Sequence, residues 1–405
     1  MELTFVILFS IASIVGIFAR RTGIPYTIAL VLVGLAVGAL HVVDPPHLTK
    51  ELLFALFLPG LVFEAAYNIH VLELRAMWRT IATLAVPGVI AAIALTAGIT
   101  LAVLHALGVA PSLDWRFALV FAALVAATDP IAVVSLFRRL GVPPRLTTLV
   151  EAESLFNDGT SIVVLSLVLA FVSGSATSAA RLSGQFALVI GGGAVIGVAF
   201  GYGVAFVTRR LDDPMIEITL TTVAAYGSFV IAENVHLSGV IATVSAGLVL
   251  GTYGREIAMS RATSAAVDSF WEYVAFALNS IVFLLIGFAV EPGSLFASSI
   301  PILVGFFSVV VARGGVVLGT RALFSRTTDH ISAAWGVIVW WGGLRGALSM
   351  VLALSLPADF PMRELLIDMT YGVVLISIVL QGLTMQPLVA RLLPRQAAAD
   401  VARLH

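Results

Sequence analysis

The sequence predicts an all-α polytopic membrane protein, with about thirteen transmembrane helices in two inverted repeats whose discontinuous helices cross. Three observations carry that prediction. Hydrophobic residues make up 60% of the 405-residue chain and charged residues only 11%, whereas a soluble domain carries roughly 25% charged residues. Apolar runs of about 20 residues, the length that crosses a bilayer, recur from end to end. Part of the first half also returns in the second half at a constant offset.

The spans fall roughly at residues 3–19, 25–42, 48–66, 77–105, 116–137, 146–171, 184–208, 215–233, 237–253, 268–290, 300–320, 331–356 and 366–390. Residues 1–171 then form the first repeat (spans 1–6), 172–214 a linker with span 7, 215–390 the second repeat (spans 8–13), and 391–405 a short cytoplasmic tail. Basic residues orient the chain. With the N-terminus outside, thirteen arginines fall in inner loops and three in the tail, against Lys50, Arg116, Arg181 and Arg363 outside. That asymmetry supports an odd number of spans and a cytoplasmic C-terminus, in a cell (inner) membrane. The first apolar segment is too long for a signal-peptide core and ends at Arg20-Arg21, so no cleaved leader is expected. There are no cysteines, which excludes disulfides, thiolate metal sites and cysteine nucleophiles. A net charge of −1 says nothing about partners; neither a nucleic-acid partner nor a cofactor is expected.

The repeat is visible when Ala29–Gly38 (ALVLVGLAVG) is set on Ala242–Gly251 (ATVSAGLVLG). The same shift pairs Gly34 with Gly247, Gly38 with Gly251, and Pro130 with Gly343. It moves span 1 onto span 8, an odd number of helices, so the two copies are inverted in the membrane. Each copy has an interrupted helix: Ala127-Thr128-Asp129-Pro130 in span 5 and Trp341-Gly342-Gly343-Leu344-Arg345-Gly346 in span 12. Proline removes a backbone donor and disfavours helix at the residue before it. Either segment alone reads as a kink. Paired across the repeats, each with a charge, they read as unwound backbone lining a cavity near the midplane.

The densest polar cluster lies in span 6, Glu151-Ala152-Glu153-Ser154-Leu155-Phe156-Asn157-Asp158-Gly159-Thr160-Ser161. Asp158 lies about twelve residues into the span, near the bilayer centre. A carboxylate there costs several kcal/mol unless it is paired, protonated or bound to a cation. With no basic residue near it on its own helix, its low-energy states are the protonated and the cation-bound ones. Because one ligand excludes the other, a proton and a hard monovalent cation compete for the same oxygens. Ser154, Thr128 and freed backbone carbonyls would complete an oxygen shell for Na⁺ or Li⁺. That competition is the chemistry of an antiporter. Glu153 and Arg313 share a depth and form a structural ion pair, whereas Arg345 lies nearer the midplane. Glu64 reads equally as an interfacial snorkelling carboxylate or as a buried functional one. Glu233, Asn234 and His236 read as a solvated or packing turn, and Asn279-Ser280 as helix–helix glue.

Thr128-Asp129-Pro130, Glu153-Ser154-Leu155-Phe156-Asn157-Asp158, Trp341-Gly342-Gly343-Leu344-Arg345-Gly346-Ala347 and Arg313, taken together, resemble the monovalent cation:proton antiporter-1 family. That family includes electroneutral Na⁺/H⁺ antiporters of bacteria and archaea and the eukaryotic sodium/proton exchangers. The resemblance implies a homodimer of thirteen-helix protomers, with a mobile core of spans 4–6 and 11–13 moving against a scaffold of spans 1–3 and 7–10. It implies Asp158 as the ion-binding carboxylate, Asp129 and Thr128 contributing from the crossover with Pro130, and Ser154, Asn157 and Glu64 as further members of the site. Asn157 beside Asp158 resembles the electroneutral branch, with Na⁺ (or Li⁺ or K⁺) and H⁺ as substrates. Gly60 in Leu58-Pro59-Gly60 stands where the family often has a second proline, and the short tail implies no large cytosolic regulatory domain. Two rival readings are an intramembrane aspartyl protease using Asp129 and Asp158, and a cation channel. The paired crossovers and the amide at Asn157 speak against the first, and the lack of a carbonyl filter or charged ring against the second.

Overall fold

A computed structural model of the chain describes residues 2–22, 25–40, 53–174, 179–290, 292–327 and 329–393. Lys50, Arg395, Arg403 and nearly all of the expected tail lie outside the described residues. Within them every element is helical and no strand occurs.

Helix occupies part of each predicted span. The elements are α1 (Glu2–Thr22), α2 (Tyr26–Ala39), α3 (53–68), α4 (Trp78–Ala106), α5a (Trp115–Leu124), α5b (Ile131–Leu140), α6 (Pro144–Val172) and α7 (Ala179–Thr208). They continue with α8 (Pro214–Asn234), α9 (239–258), α10 (Arg261–Phe288), α11 (Ser299–Leu323), α12a (Ala333–Trp341), α12b (Ala347–Leu354) and α13 (Arg363–Leu392). Helix α10 begins seven residues before the predicted span. Its first two turns carry Arg261 and Asp268, and a hydropathy window discards such an amphipathic start although the backbone stays helical. Helices Val71–Ala76 and Pro292–Ala297 were not predicted, being too short to show a period.

Several helix starts are capped by side chains. Asp114 Oδ1 accepts from the N–H groups of Arg116 and Phe117, Asp213 Oδ1 from those of Met215 and Ile216, and Ser332 Oγ from that of Trp335. Each satisfies donors that the first turn leaves without intrahelical partners. At the turn before α9 the Glu233 carboxylate accepts from the N–H of Gly239 at 2.9 Å, a packing role.

The chain divides into two compact units. The first comprises Met1–His47, Leu72–Asn157 and Phe283–His405, and so holds both interrupted helices. The second comprises Leu48–Val71 and Asp158–Val282. This differs from the expected grouping of spans 1–3 with 7–10, because α1 and α2 go with the first unit. The reason lies in α2. Gly34 is set against the backbone of Leu284 and Gly287, and Gly38 against Phe288. No Cβ fits at Gly34, so the helices approach backbone to backbone.

The second unit contains the matching contact. On α9, Gly247 meets the Phe63 carbonyl and Gly251 the Tyr67 carbonyl of α3. In both places two glycines one turn apart meet two residues one turn apart. The second helix of each repeat thus lies on the third helix of the other. The second unit's core is completed by Phe63, Tyr67, Leu250, Val267 and Trp271, all fully buried.

Candidate functional site

The first unit is organised around a crossing of unwound backbone. Helix α5a ends at Leu124 and α5b starts at Ile131, while α12a ends at Trp341 and α12b starts at Ala347. The backbone N–H of Asp129 donates to the Leu344 carbonyl at 2.7 Å, joining one interruption to the other. Gly346 packs so closely on the Asp129 side chain that a Cβ would collide with it. Here glycine is required by proximity.

Two interrupted helices expose two amide ends and two carbonyl ends inside the protein, and each needs a partner. Asp129 serves the amide end of α5b, its Oδ1 accepting from the Ile131 N–H at 3.0 Å. Arg345 serves the carbonyl end of α5a. Its Nη1 donates to the carbonyls of Ala126 at 2.5 Å and Ala127 at 3.2 Å. Arg313 serves the carbonyl end of α12a, where Nε and Nη2 donate to the Val339 carbonyl at 3.3 and 3.1 Å. The Arg345 N–H is held by Ser377 Oγ at 3.0 Å. Gln381 bonds both Ser377 Oγ and the Trp341 carbonyl, at 2.5 and 3.2 Å. Negative charge thus meets amides and positive charge meets carbonyls.

Glu153 and Arg313 meet as a bidentate ion pair, Nη1 to Oε1 at 3.0 Å and Nη2 to Oε2 at 2.9 Å. Both side chains are nearly inaccessible, at 3% and 11% exposure. Gly343 lies against the Arg313 guanidinium with no room for a Cβ. Gly342 continues α12a by one bond to Ile338 O at 2.7 Å, and Pro130 leads into α5b.

Helix α6 runs beside this crossing. Ser154 Oγ donates to the Thr128 carbonyl, and Thr128 Oγ1 lies 3.1 Å from Ser154 Oγ. The Asn157 amide nitrogen donates to the Ala126 carbonyl and to Thr128 Oγ1, both at 3.1 Å. The freed carbonyls expected to line an ion shell are therefore already engaged: Ala126 by Arg345 and Asn157, Ala127 by Arg345, and Thr128 by Ser154. Ser154 and Asn157 are buried. Asp158 follows on the same helix, one turn beyond Ser154, and is half-buried.

Glu64 belongs to the second unit, apart from this group. Its Oε1 accepts from the Asn68 amide, one turn on in the same helix, at 2.9 Å. The Ser280 hydroxyl bonds the Phe276 carbonyl of its own helix at 2.5 Å. Among the described residues no cluster of three or more His, Cys, Asp or Glu side chains forms a metal site.

The pattern that defines the sodium/hydrogen exchanger transmembrane family matches residues 8–391. The chain belongs to that family. The low-affinity Na⁺/H⁺ antiporter NhaS1 of Synechocystis is 38% identical over 369 residues, covering 90% of this chain and 68% of its own. The Na⁺/H⁺ antiporter NhaP of Pseudomonas aeruginosa is 37% identical over 355 residues, covering 85% and 81%. The solved sodium proton antiporter MjNhaP1 of Methanocaldococcus jannaschii superposes with a TM-score of 0.80 over 98% of this chain and 100% of its own. At 20% sequence identity that likeness shows a shared fold. Membership of an exchanger family sets aside the protease reading of Asp129 and Asp158.

Sequence reading alone missed three features of the site. It did not give Arg345 and Arg313 their roles as caps on carbonyl ends, because propensity does not report where an interrupted helix stops. It did not find Ser377 and Gln381, a hydroxyl and an amide inside an apolar helix with no motif around them. The engagement of the Asn157 amide with the crossing was likewise invisible; the spacing of Ser154 and Asn157 on α6 was its only signal.

Proposed function

We propose that the chain is an electroneutral antiporter that exchanges one Na⁺ for one H⁺, with Asp158 as the group for which the two compete. The observation that carries this reading is the fixed crossing beside α6. Asp129, Arg345 and Arg313 each have an assigned helix end or ion partner, so their charges are committed to structure. Asp158 is the acidic residue of α6 that follows directly on the two side chains, Ser154 and Asn157, tied to that crossing. The family assignment and the antiporters among its relatives support the exchange of these two ions.

Asp158 alternates between a protonated and a cation-bound form, and Thr128 and Ser154 supply further oxygen ligands. Asn157 holds position by donating both amide hydrogens and can offer only its carbonyl oxygen. An amide does not titrate, so one proton leaves for each cation that enters. Asp129 stays ionised opposite the amide end of α5b. Alternating access follows from movement of the unit that carries the crossing, in a homodimer in the cell membrane with the C-terminus cytoplasmic. Li⁺ and K⁺ have the same ligand chemistry and are candidate substrates.

The test is exchange in proteoliposomes with a potential clamped by valinomycin. The expected rate is the same at either polarity, and it falls at low pH, where protons fill the site, and at high pH, where the proton-loaded form is scarce. A rate that rises severalfold with one polarity and falls with the other would overturn one-for-one exchange.

A further inference from the structure

The second unit holds a chain of polar side chains with no part in the crossing. The Glu64 carboxylate accepts from Asn68 Nδ2 at 2.9 Å. Asn68 Oδ1 accepts from Arg255 Nη2 at 3.1 Å. The same Arg255 nitrogen donates to Asp268 Oδ1 at 2.6 Å. The guanidinium also lies over the Tyr67 ring, 4.4 Å from its centroid, and that ring is fully buried against Phe63. Arg255 is thus fixed from three sides by Asp268, Tyr67 and Asn68.

This arrangement leaves the Asn68 amide one orientation. A guanidinium has no acceptor and an ionised carboxylate has no donor. Placed between them, the amide must turn its oxygen to Arg255 and its nitrogen to Glu64. Remove the arginine and the amide oxygen loses its anchor, leaving the side chain held from the Glu64 end alone.

Comparison of the two repeats shows that packing does not need the polar chain. Helices α9 and α3 meet through Gly247 on Phe63 and Gly251 on Tyr67, and α2 and α10 meet in the same way through Gly34 on Leu284 and Gly38 on Phe288. Aligned on those contacts, Glu64 matches Leu285 and Asn68 matches Ala289. The apolar ladder is common to both, while the Glu64–Asn68–Arg255 chain is present in one. Arg255 also lies in the π-helical stretch Leu250–Ala258, a wide turn of the kind often found at functional sites.

We infer that Arg255 is a positioning residue for cation binding, acting through Asn68 to aim the Glu64 carboxylate. This rests on Glu64 belonging to the ion pathway, and the experiment separates the two claims. The apparent KM for Na⁺ and the maximal rate are measured in proteoliposomes for Glu64→Gln, Asn68→Ala, Arg255→Gln, Arg255→Lys and the pair Arg255→Gln/Asp268→Asn. The pair removes the uncompensated Asp268 charge, so a loss of stability in Arg255→Gln alone does not decide the outcome.

Asn68→Ala and Arg255→Gln are each expected to raise KM about three- to tenfold, as for one lost charge-assisted hydrogen bond, with maximal rate kept within about twofold. Arg255→Lys restores part of the affinity, since one ammonium can still face the Asn68 oxygen. In a Glu64→Gln background, Asn68→Ala adds nothing further. If Glu64→Gln raises KM while Asn68→Ala and the Arg255/Asp268 pair do not, positioning by Arg255 is wrong and the reading of Glu64 stands. If Glu64→Gln itself leaves KM unchanged, the reading of Glu64 falls, and the inference with it.

Discussion

Asp129 and Leu344 join the two interrupted helices through one backbone hydrogen bond of 2.7 Å, and Gly346, two residues on, leaves no space for a Cβ beside the Asp129 side chain. This contact fixes both amide ends at one place. Gly346→Ala would drive a methyl group into Asp129 Cβ and Oδ2, and overpacking of this kind costs about 1–3 kcal/mol. The expected variant is folded, less stable by that amount, and severely slowed in exchange, because the carboxylate is pushed from the Ile131 N–H. Thermal unfolding and a transport assay read the two effects separately; wild-type values in both would show that the crossing tolerates displacement.

The Glu153–Arg313 pair is expected to couple strongly. Removing one partner strands a buried charge and costs about 3–5 kcal/mol. Removing Arg313 also uncaps the Val339 carbonyl, so Arg313→Met should cost more than Glu153→Gln, and the double variant should recover only part of the loss. A double-mutant cycle on thermal stability measures this. Additive single effects would mean that the two side chains act independently.

Asn157 was legible as an amide but not as a tie. Sequence reasoning makes Asn157→Asp a simple addition of a second titrating group. In the structure its amide nitrogen faces two acceptors, Ala126 O and Thr128 Oγ1. A protonated aspartic acid can donate one hydrogen bond there, and an aspartate none. Asn157→Asp should therefore lose stability relative to wild type, with the deficit growing as pH rises and the new carboxyl ionises. Unfolding temperatures across pH check this. A deficit that shrinks with rising pH would contradict the geometry.

The sequence shows most of what packing repeats and least of what single side chains do. Apolar runs reveal the helices because a bilayer demands length, and Pro130 and Gly342–Gly346 mark the interruptions because each disfavours helix. Glu153 and Arg313 could be matched by depth alone. The roles of Arg345, Ser377 and Gln381 could not, since they depend on where α5a ends and which carbonyls α13 faces. Arg255 read only as one more inner-loop arginine, because its partner Asn68 lies 187 residues away in sequence. The grouping of α1 and α2 was hidden for the same reason: Gly34 and Gly38 are visible as repeat residues, but not the backbone they meet.

The central claim is that one proton and one Na⁺ compete at Asp158. The direct measurement is proton release from detergent-purified protein in weak buffer on adding Na⁺, against choline as control. The expected result is about one proton released per protomer for wild type and for the Glu153→Gln/Arg313→Met pair where it remains folded, and none for Asp158→Asn. Undiminished release from a folded Asp158→Asn protein would place the competition at another carboxylate and contradict the claim.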